Sequence, residues 1–173
     1  MNAQTATARI PSLARVRSSH LTDVLATHAG SAATVLRVTL AAVMFPHGAQ
    51  KLLGWWGGYG FEGSHGFLMG QIGLPGPLAT GIILLEFFGP LFLVLGLLTR
   101  PVALAMIGLM IGAIATVHWP FGFFMNWTGA QGGEGFEFHL LVIAIAAALA
   151  IQGAGALSLD GRIARKLARA NAA

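Results

Sequence analysis

Leu78-Ala-Thr-Gly-Ile-Ile-Leu-Leu-Glu-Phe-Phe-Gly-Pro-Leu-Phe-Leu-Val-Leu-Gly-Leu-Leu98 carries one charge, Glu86, in an otherwise apolar run. At about 1.5 Å per helical residue this stretch reaches roughly 32 Å, enough to cross a hydrocarbon core of about 30 Å. Three more apolar runs flank it: 29–53, interrupted by Arg37, His47, Gln50 and Lys51; 101–119, after the tight turn Thr99-Arg100-Pro101; and 136–157. The expected fold is all-α, an integral membrane four-helix bundle over residues 29–160. A polar, basic N-terminal tail (1–28) with a helical end precedes it, and a basic tail (161–173) follows.

Composition supports the same class. Hydrophobic residues make up 55% of the 173-residue chain and charged residues 9%, against roughly 25% charged in an ordinary soluble domain. So little charge cannot cover a soluble globule, and a mean hydropathy of +0.74 excludes disorder. With no cysteine, a disulfide scaffold, a thiolate nucleophile, a redox dithiol and a cysteine-held zinc or iron–sulfur site are all excluded. The net charge of +4 invites nucleic acid as a partner, but its distribution does not. Arg9, Arg15 and Arg17 precede the first apolar run, and Arg162, Arg165, Lys166 and Arg169 follow the last. Cations flanking apolar runs orient a chain in a bilayer.

Four spans place both termini on one side, and both ends are basic. The turn carrying Arg100 falls on that side. The longer connections 54–77 and 120–135 contain no Lys or Arg, and all four tryptophans, Trp55, Trp56, Trp119 and Trp127, lie at that opposite face. The positive-inside rule makes the termini cytoplasmic and the long loops external. Gly108 and Gly112 form a GxxxG read as small-residue packing within the bundle. Gly58-Tyr-Gly-Phe-Glu-Gly63 matches the dinucleotide fingerprint in letters only, because it follows a spanning helix instead of a strand; it is read as a flexible or re-entrant loop. Asn126-Trp-Thr128 is a glycosylation sequon that matters only in a secretory pathway.

Ionisable groups at membrane depth are costly and are functional candidates by default. Counted from the cytoplasmic end at about 1.5 Å per residue, His47 stands at roughly 24 Å, His118 at roughly 25 Å and His139 at roughly 27 Å. Glu86 stands about a turn lower, at roughly 18 Å, and Arg37 at roughly 10 Å. Gln50, Lys51, Glu134 and Glu137 roof the layer, giving a polar pocket open to the outer face. Glu86 takes Arg37, Lys51 or a histidine as partner. Lys51 is otherwise a helix-end snorkeller, and Arg37 is read as structural, with cytoplasmic headgroups in reach. Glu134 and Glu137 equally suit a helix start, and His118 a place at the interface. Histidines and carboxylates can ligate a metal or hold haem through two imidazoles, although no pair among them has compact HxxxH or ExxH spacing. The same donors in apolar walls suit a quinone headgroup, with a histidine bonding an oxygen and a carboxylate moving a proton. The residues alone leave these alternatives open.

His47-Gly-Ala-Gln-Lys-Leu-Leu-Gly-Trp-Trp-Gly-Gly58 resembles the first-helix signature of the DoxX/DoxD family. Glu86-Phe-Phe-Gly-Pro-Leu-Phe-Leu-Val-Leu-Gly-Leu-Leu-Thr-Arg100, His118-Trp-Pro-Phe-Gly-Phe-Phe124 and Gly153-Ala-Gly-Ala-Leu-Ser-Leu-Asp160 resemble its later motifs in order. The resemblance covers about residues 30–161. It implies a small four-helix protein of the cytoplasmic (inner) membrane, with relatives linked to thiosulfate:quinone oxidoreduction and to membrane complexes handling oxidative stress. It also places His47, Gln50, Lys51, Glu86, Arg100 and His118 by motif.

The leading expectation is therefore a quinone-linked membrane oxidoreductase, or the membrane subunit of one. Glu86 and His47 would be catalytic, and His47, Gln50, Lys51, Glu86, His118 and His139 would bind the cofactor. Lys51 would attract an anionic donor such as thiosulfate. The rivals are a non-enzymatic accessory subunit of a larger complex or homo-oligomer, then a haem or metal protein. A channel or carrier lacks the internal repeats that would point to it.

Overall fold

The computed structural model describes residues 25, 27 and 30–171. Apart from Leu25 and Thr27, the expected tail 1–28 lies outside the described residues. Among the described residues every regular element is helical: α1 (Ser31–Leu53), a 3₁₀ turn (Trp55–Gly57), α2 (Gly60–Gly70), α3 (Gly76–Leu95), α4 (Thr99–Ala113), α5 (Glu137–Gln152) and α6 (Leu159–Ala170). α4 runs on through a π-helical turn, Ile114–His118, into a 3₁₀ turn, Trp119–Phe121.

Three helices are long and apolar enough to cross a membrane: Ser31–Leu53, Gly76–Leu95 and Thr99–Phe121. α5 is apolar but has only 16 residues, roughly 24 Å. Their outward faces are as apolar as their inward ones. Val35, Val38, Leu84, Val94, Leu104 and Leu141 are all exposed, the all-round hydrophobicity of helices bathed in lipid.

α1 packs on α3 and α5, and α4 packs on α5 and α3. Leu40, Met44, Leu93, Met106, Val142 and Leu149 meet in the buried core. The closest approach falls at Gly48, where a Cβ would collide with the Glu86 carbonyl and the Phe87 amide nitrogen. α1 and α3 therefore touch backbone to backbone, as small residues allow between membrane helices. Pro90 lies inside α3 and lacks the amide that would bond the Glu86 carbonyl four residues back. The chain thus places Glu86 at a point where its own helix is loosened and its neighbour is nearest.

The opposite end of the molecule is held by a polar latch. Arg37 is 1% exposed. Its guanidinium donates to the carbonyls of Leu93 (2.8 Å), Ala154 (2.9 Å), Leu157 (3.1 Å), Ala156 (3.3 Å) and Val94. It turns inward and does not reach for headgroups: its donors satisfy carbonyls freed at the ends of α3 and α5. The Asp160 carboxylate accepts from the amides of Leu98 (2.8 Å) and Thr99 (2.9 Å), capping α4 from another helix. Gly96 closes α3 with φ 62°, its Cα against Ser158 and the Arg37 guanidinium. Leu25 is buried, and the Thr27 hydroxyl accepts from the Gly155 amide at 2.6 Å.

Several boundaries differ from the sequence reading. Residues 54–77, expected as a loop, contain α2, and the glycines of the fingerprint lead into it. The fourth apolar helix stops at Gln152, because Gly153 adopts φ 80°. Residues 159–170, read mostly as tail, form α6, with Ser158 as N-cap accepting from the Gly161 amide. The GxxxG of α4 does not serve packing within the chain, since a Cβ on Gly108 or Gly112 would meet nothing within 4 Å.

Candidate functional site

At the end away from the latch, a cavity of about 930 Å³ is enclosed by α1, α2, α3, the far half of α4 and the start of α5. His47, Gln50, Lys51, Glu86, His118 and His139, from four helical segments, all line it. The height count takes the fourth helix down to residue 157, whereas α5 ends at Gln152, so the shared lining follows from the structure and not from the rise alone.

Glu86 is 6% exposed, and its Oε2 forms an ion pair with Lys51 Nζ. Lys51, at the last turn of α1, is half-buried, so it bridges the carboxylate to the cavity mouth. A charge this deep is costly alone, and the pair offsets part of that cost. His47 lies one turn before Lys51 on α1, its ring 5.8 Å from that of Phe138. Gln50 lies beside the 3₁₀ turn, its Nε2 3.4 Å from the Trp56 carbonyl.

His118 and His139 face one another with ring centroids 4.1 Å apart. The Nδ1–H of His118 donates to the Glu134 carbonyl at 2.8 Å, which leaves Nε2 as the acceptor of the neutral ring. His118 closes the π-helical turn, whose extra residue per turn re-aims the side chains that follow, a device frequent at functional sites. His139 is 6% exposed, and its Nδ1 is buried without a hydrogen-bond partner. A buried ring nitrogen without a partner is uncommon in a folded protein and calls for one.

The roof differs from expectation. Glu134 lines the cavity, with its carboxylate accepting from the Asn126 amide at 2.6 Å. Glu137 does not line it: its Oε1 accepts from the Met125 amide (3.1 Å) and Trp127 Nε1 (3.2 Å), fastening loop 122–136 to α5. Arg100 points elsewhere, donating to the Ala150 carbonyl at 2.7 Å. α2 supplies a wall that composition did not reveal, with buried Ser64 and exposed Phe67. The one signal for it was the small-residue stretch 57–66, too glycine-rich to suggest a helix.

Comparison with known proteins gives the family. Residues 32–119 match the DoxX family model, and residues 78–173 match a second, "TQO small subunit DoxD". The chain belongs to the DoxX family. The chain is 34% identical over 126 residues to the "Putative oxidoreductase CatD" of Bacillus subtilis (strain 168), covering 73% of this chain and 82% of that one. To the "Inner membrane protein YphA" of Escherichia coli (strain K12) it is 30% identical over 133 residues, 74% and 87% of the two chains. No solved structure matches. This DoxX-family chain is a membrane protein, and its first family match spans His47, Glu86 and His118 together.

The arrangement can hold a small polar group against imidazole and carboxylate while apolar walls exclude water. Among the described residues, no group of three or more His, Asp or Glu is placed to hold a metal ion. The His118 and His139 rings touch, so this pair cannot occupy opposite faces of a haem iron.

Proposed function

We propose that this protein is a quinone-linked membrane oxidoreductase, or the membrane subunit of one, that binds a quinone headgroup in the cavity. It crosses the cytoplasmic membrane with α1, α3, α4 and α5, both termini inside and the cavity opening outside. The observation that carries this reading is the unpartnered Nδ1 of His139, buried beside the Lys51–Glu86 ion pair in a largely apolar cavity. Imidazole, amide and ammonium donors around an apolar chamber fit a flat, uncharged ring with two carbonyl oxygens.

When bound, the quinone supplies the acceptor of two electrons and two protons. His139 donates from Nδ1 to one oxygen, with its tautomer set by what binds. Gln50 and His47 orient the ring from the α1 side. Glu86, held as a carboxylate by Lys51, receives protons from the external mouth and passes them inward, and His47 relays them. Lys51 also draws an anionic sulfur donor, such as thiosulfate, toward the mouth. The "TQO small subunit" description of the second family match supports the subunit form, in which a partner delivers the electrons.

Purification in mild detergent, solvent extraction and mass spectrometry test this reading, followed by an assay of quinone reduction with thiosulfate or sulfide. Bound quinone together with donor-dependent reduction is expected. A preparation with neither, including one copurified with its partners, rejects it.

A further inference from the structure

The cavity is larger than a headgroup needs. Its 930 Å³ lies near the upper end of the roughly 300–1,000 Å³ found for whole drug-sized ligands. Of the six polar candidates that line it, Glu86 and His139 are buried. The lining also takes in Gly81 and Leu85 of α3 and Ala105, Gly108 and Gly112 of α4, of which all but Leu85 are exposed. A Cβ added at Gly81, Gly108 or Gly112 would meet nothing within 4 Å. Gly108 stands roughly 14 Å above Thr99, and Gly81 roughly 21 Å above Leu95, with Glu86 roughly 14 Å above Leu95, so the seam runs beside Glu86 and on toward the outer end. α3 and α4 are joined by a tight turn at the latch, yet α3 packs far more closely on α1. Glycines usually bring helices together in a membrane; here they leave a gap that runs into the polar chamber.

We propose that the α3–α4 seam holds the hydrocarbon chain of the ligand and admits it sideways from the bilayer, so that the site takes a lipid with a polar head and a long apolar tail. This rests on the quinone reading of the chamber and extends it from headgroup to tail. The asymmetry carries it: hydrogen-bonding groups that are buried, Glu86 and His139, and across the same cavity an α3–α4 wall whose exposed residues, Gly81, Ala105, Gly108 and Gly112, have little or no side chain. A second helix from another copy would fill the seam but would leave the buried polar groups unexplained.

The test uses the whole chain in lipid nanodiscs and a benzoquinone whose ten-carbon tail carries a photoreactive diazirine. Photolysis followed by peptide mapping is expected to place the label on residues 78–85 and 105–116, with loss of label when excess tail-less benzoquinone competes. Gly108→Leu should remove the seam label while tail-less benzoquinone still binds; Gly112→Leu is the same obstruction should the first variant not fold. Label displaced by the tail-less quinone but located on residues 57–72 overturns the seam and leaves the headgroup site standing. Scattered label that no quinone displaces rejects both. The chain has no cysteine, so a Gly108→Cys variant that oxidises to a disulfide dimer in the nanodisc would put a second copy in the seam and also overturn the proposal.

Discussion

Glu86 and Lys51 come from neighbouring helices and meet as an ion pair at membrane depth, where either charge alone would be costly. If Glu86 moves protons, Glu86→Gln lowers quinone reduction by about 100-fold or more, the usual weight of a positioned acid–base group. Quinone retained on the variant, measured by extraction, separates lost proton transfer from lost binding. Arg37 is the contrasting case. It faces no cavity and bonds only backbone carbonyls, so Arg37→Met should act on stability alone. Stranding buried acceptors around a removed charge costs on the order of 3–5 kcal/mol, enough to lower yield and thermal stability in detergent sharply. Arg37→Lys does not restore it, because an ammonium lacks the guanidinium fork. Both residues stood out in the sequence as charges in apolar runs. The sequence reading takes Arg37 as structural and Glu86 as functional; what it could not show is that Arg37 ends among backbone carbonyls and Glu86 on a cavity wall.

The helices were legible because lipid-facing segments must be apolar throughout and long enough to cross. α2, the π-helical turn and α6 were not. α2 reads as loop because its 11 residues include four glycines, poor helix formers that here sit against the chamber and its rim. The π turn leaves no compositional trace, since it is one residue of slippage within an apolar helix. α6 is legible only once its polar N-cap and the Asp160 anchor are seen to start a helix. The glycines divide into two kinds with opposite predicted behaviour. Gly48→Ala drives a methyl into the Glu86 backbone and forces α1 from α3, so folding yield falls and the Lys51–Glu86 pair separates. Gly112→Ala meets nothing, and the gain in helix propensity stabilises α4 by about 0.5–1 kcal/mol. Thermal unfolding of the two variants in the same detergent compares them directly.

Across the whole molecule, charge is segregated: the latch and α6 gather the basic residues, and the cavity end has Lys51 as its cation among the described residues. Orientation in the bilayer follows from that asymmetry. Because the chain has no native cysteine, single cysteines report it cleanly. Thr128→Cys, in loop 122–136, should react with a membrane-impermeant maleimide in intact cells. Ala168→Cys, on α6, should react only after permeabilisation. A fold tied at one end and hollow at the other suits the proposed handling of a lipid-borne reactant. The height count puts His47, His118 and His139 in one layer with Glu86 about a turn below, but it could not show which nitrogen was left without a partner. That nitrogen is where the central claim is most exposed. Titration of the detergent-purified protein with a tail-less benzoquinone, followed by equilibrium dialysis, tests it directly. Saturable binding of one quinone per chain, lost in a folded His139→Leu variant, is the predicted result; no saturable binding, or binding untouched by that substitution, would contradict it.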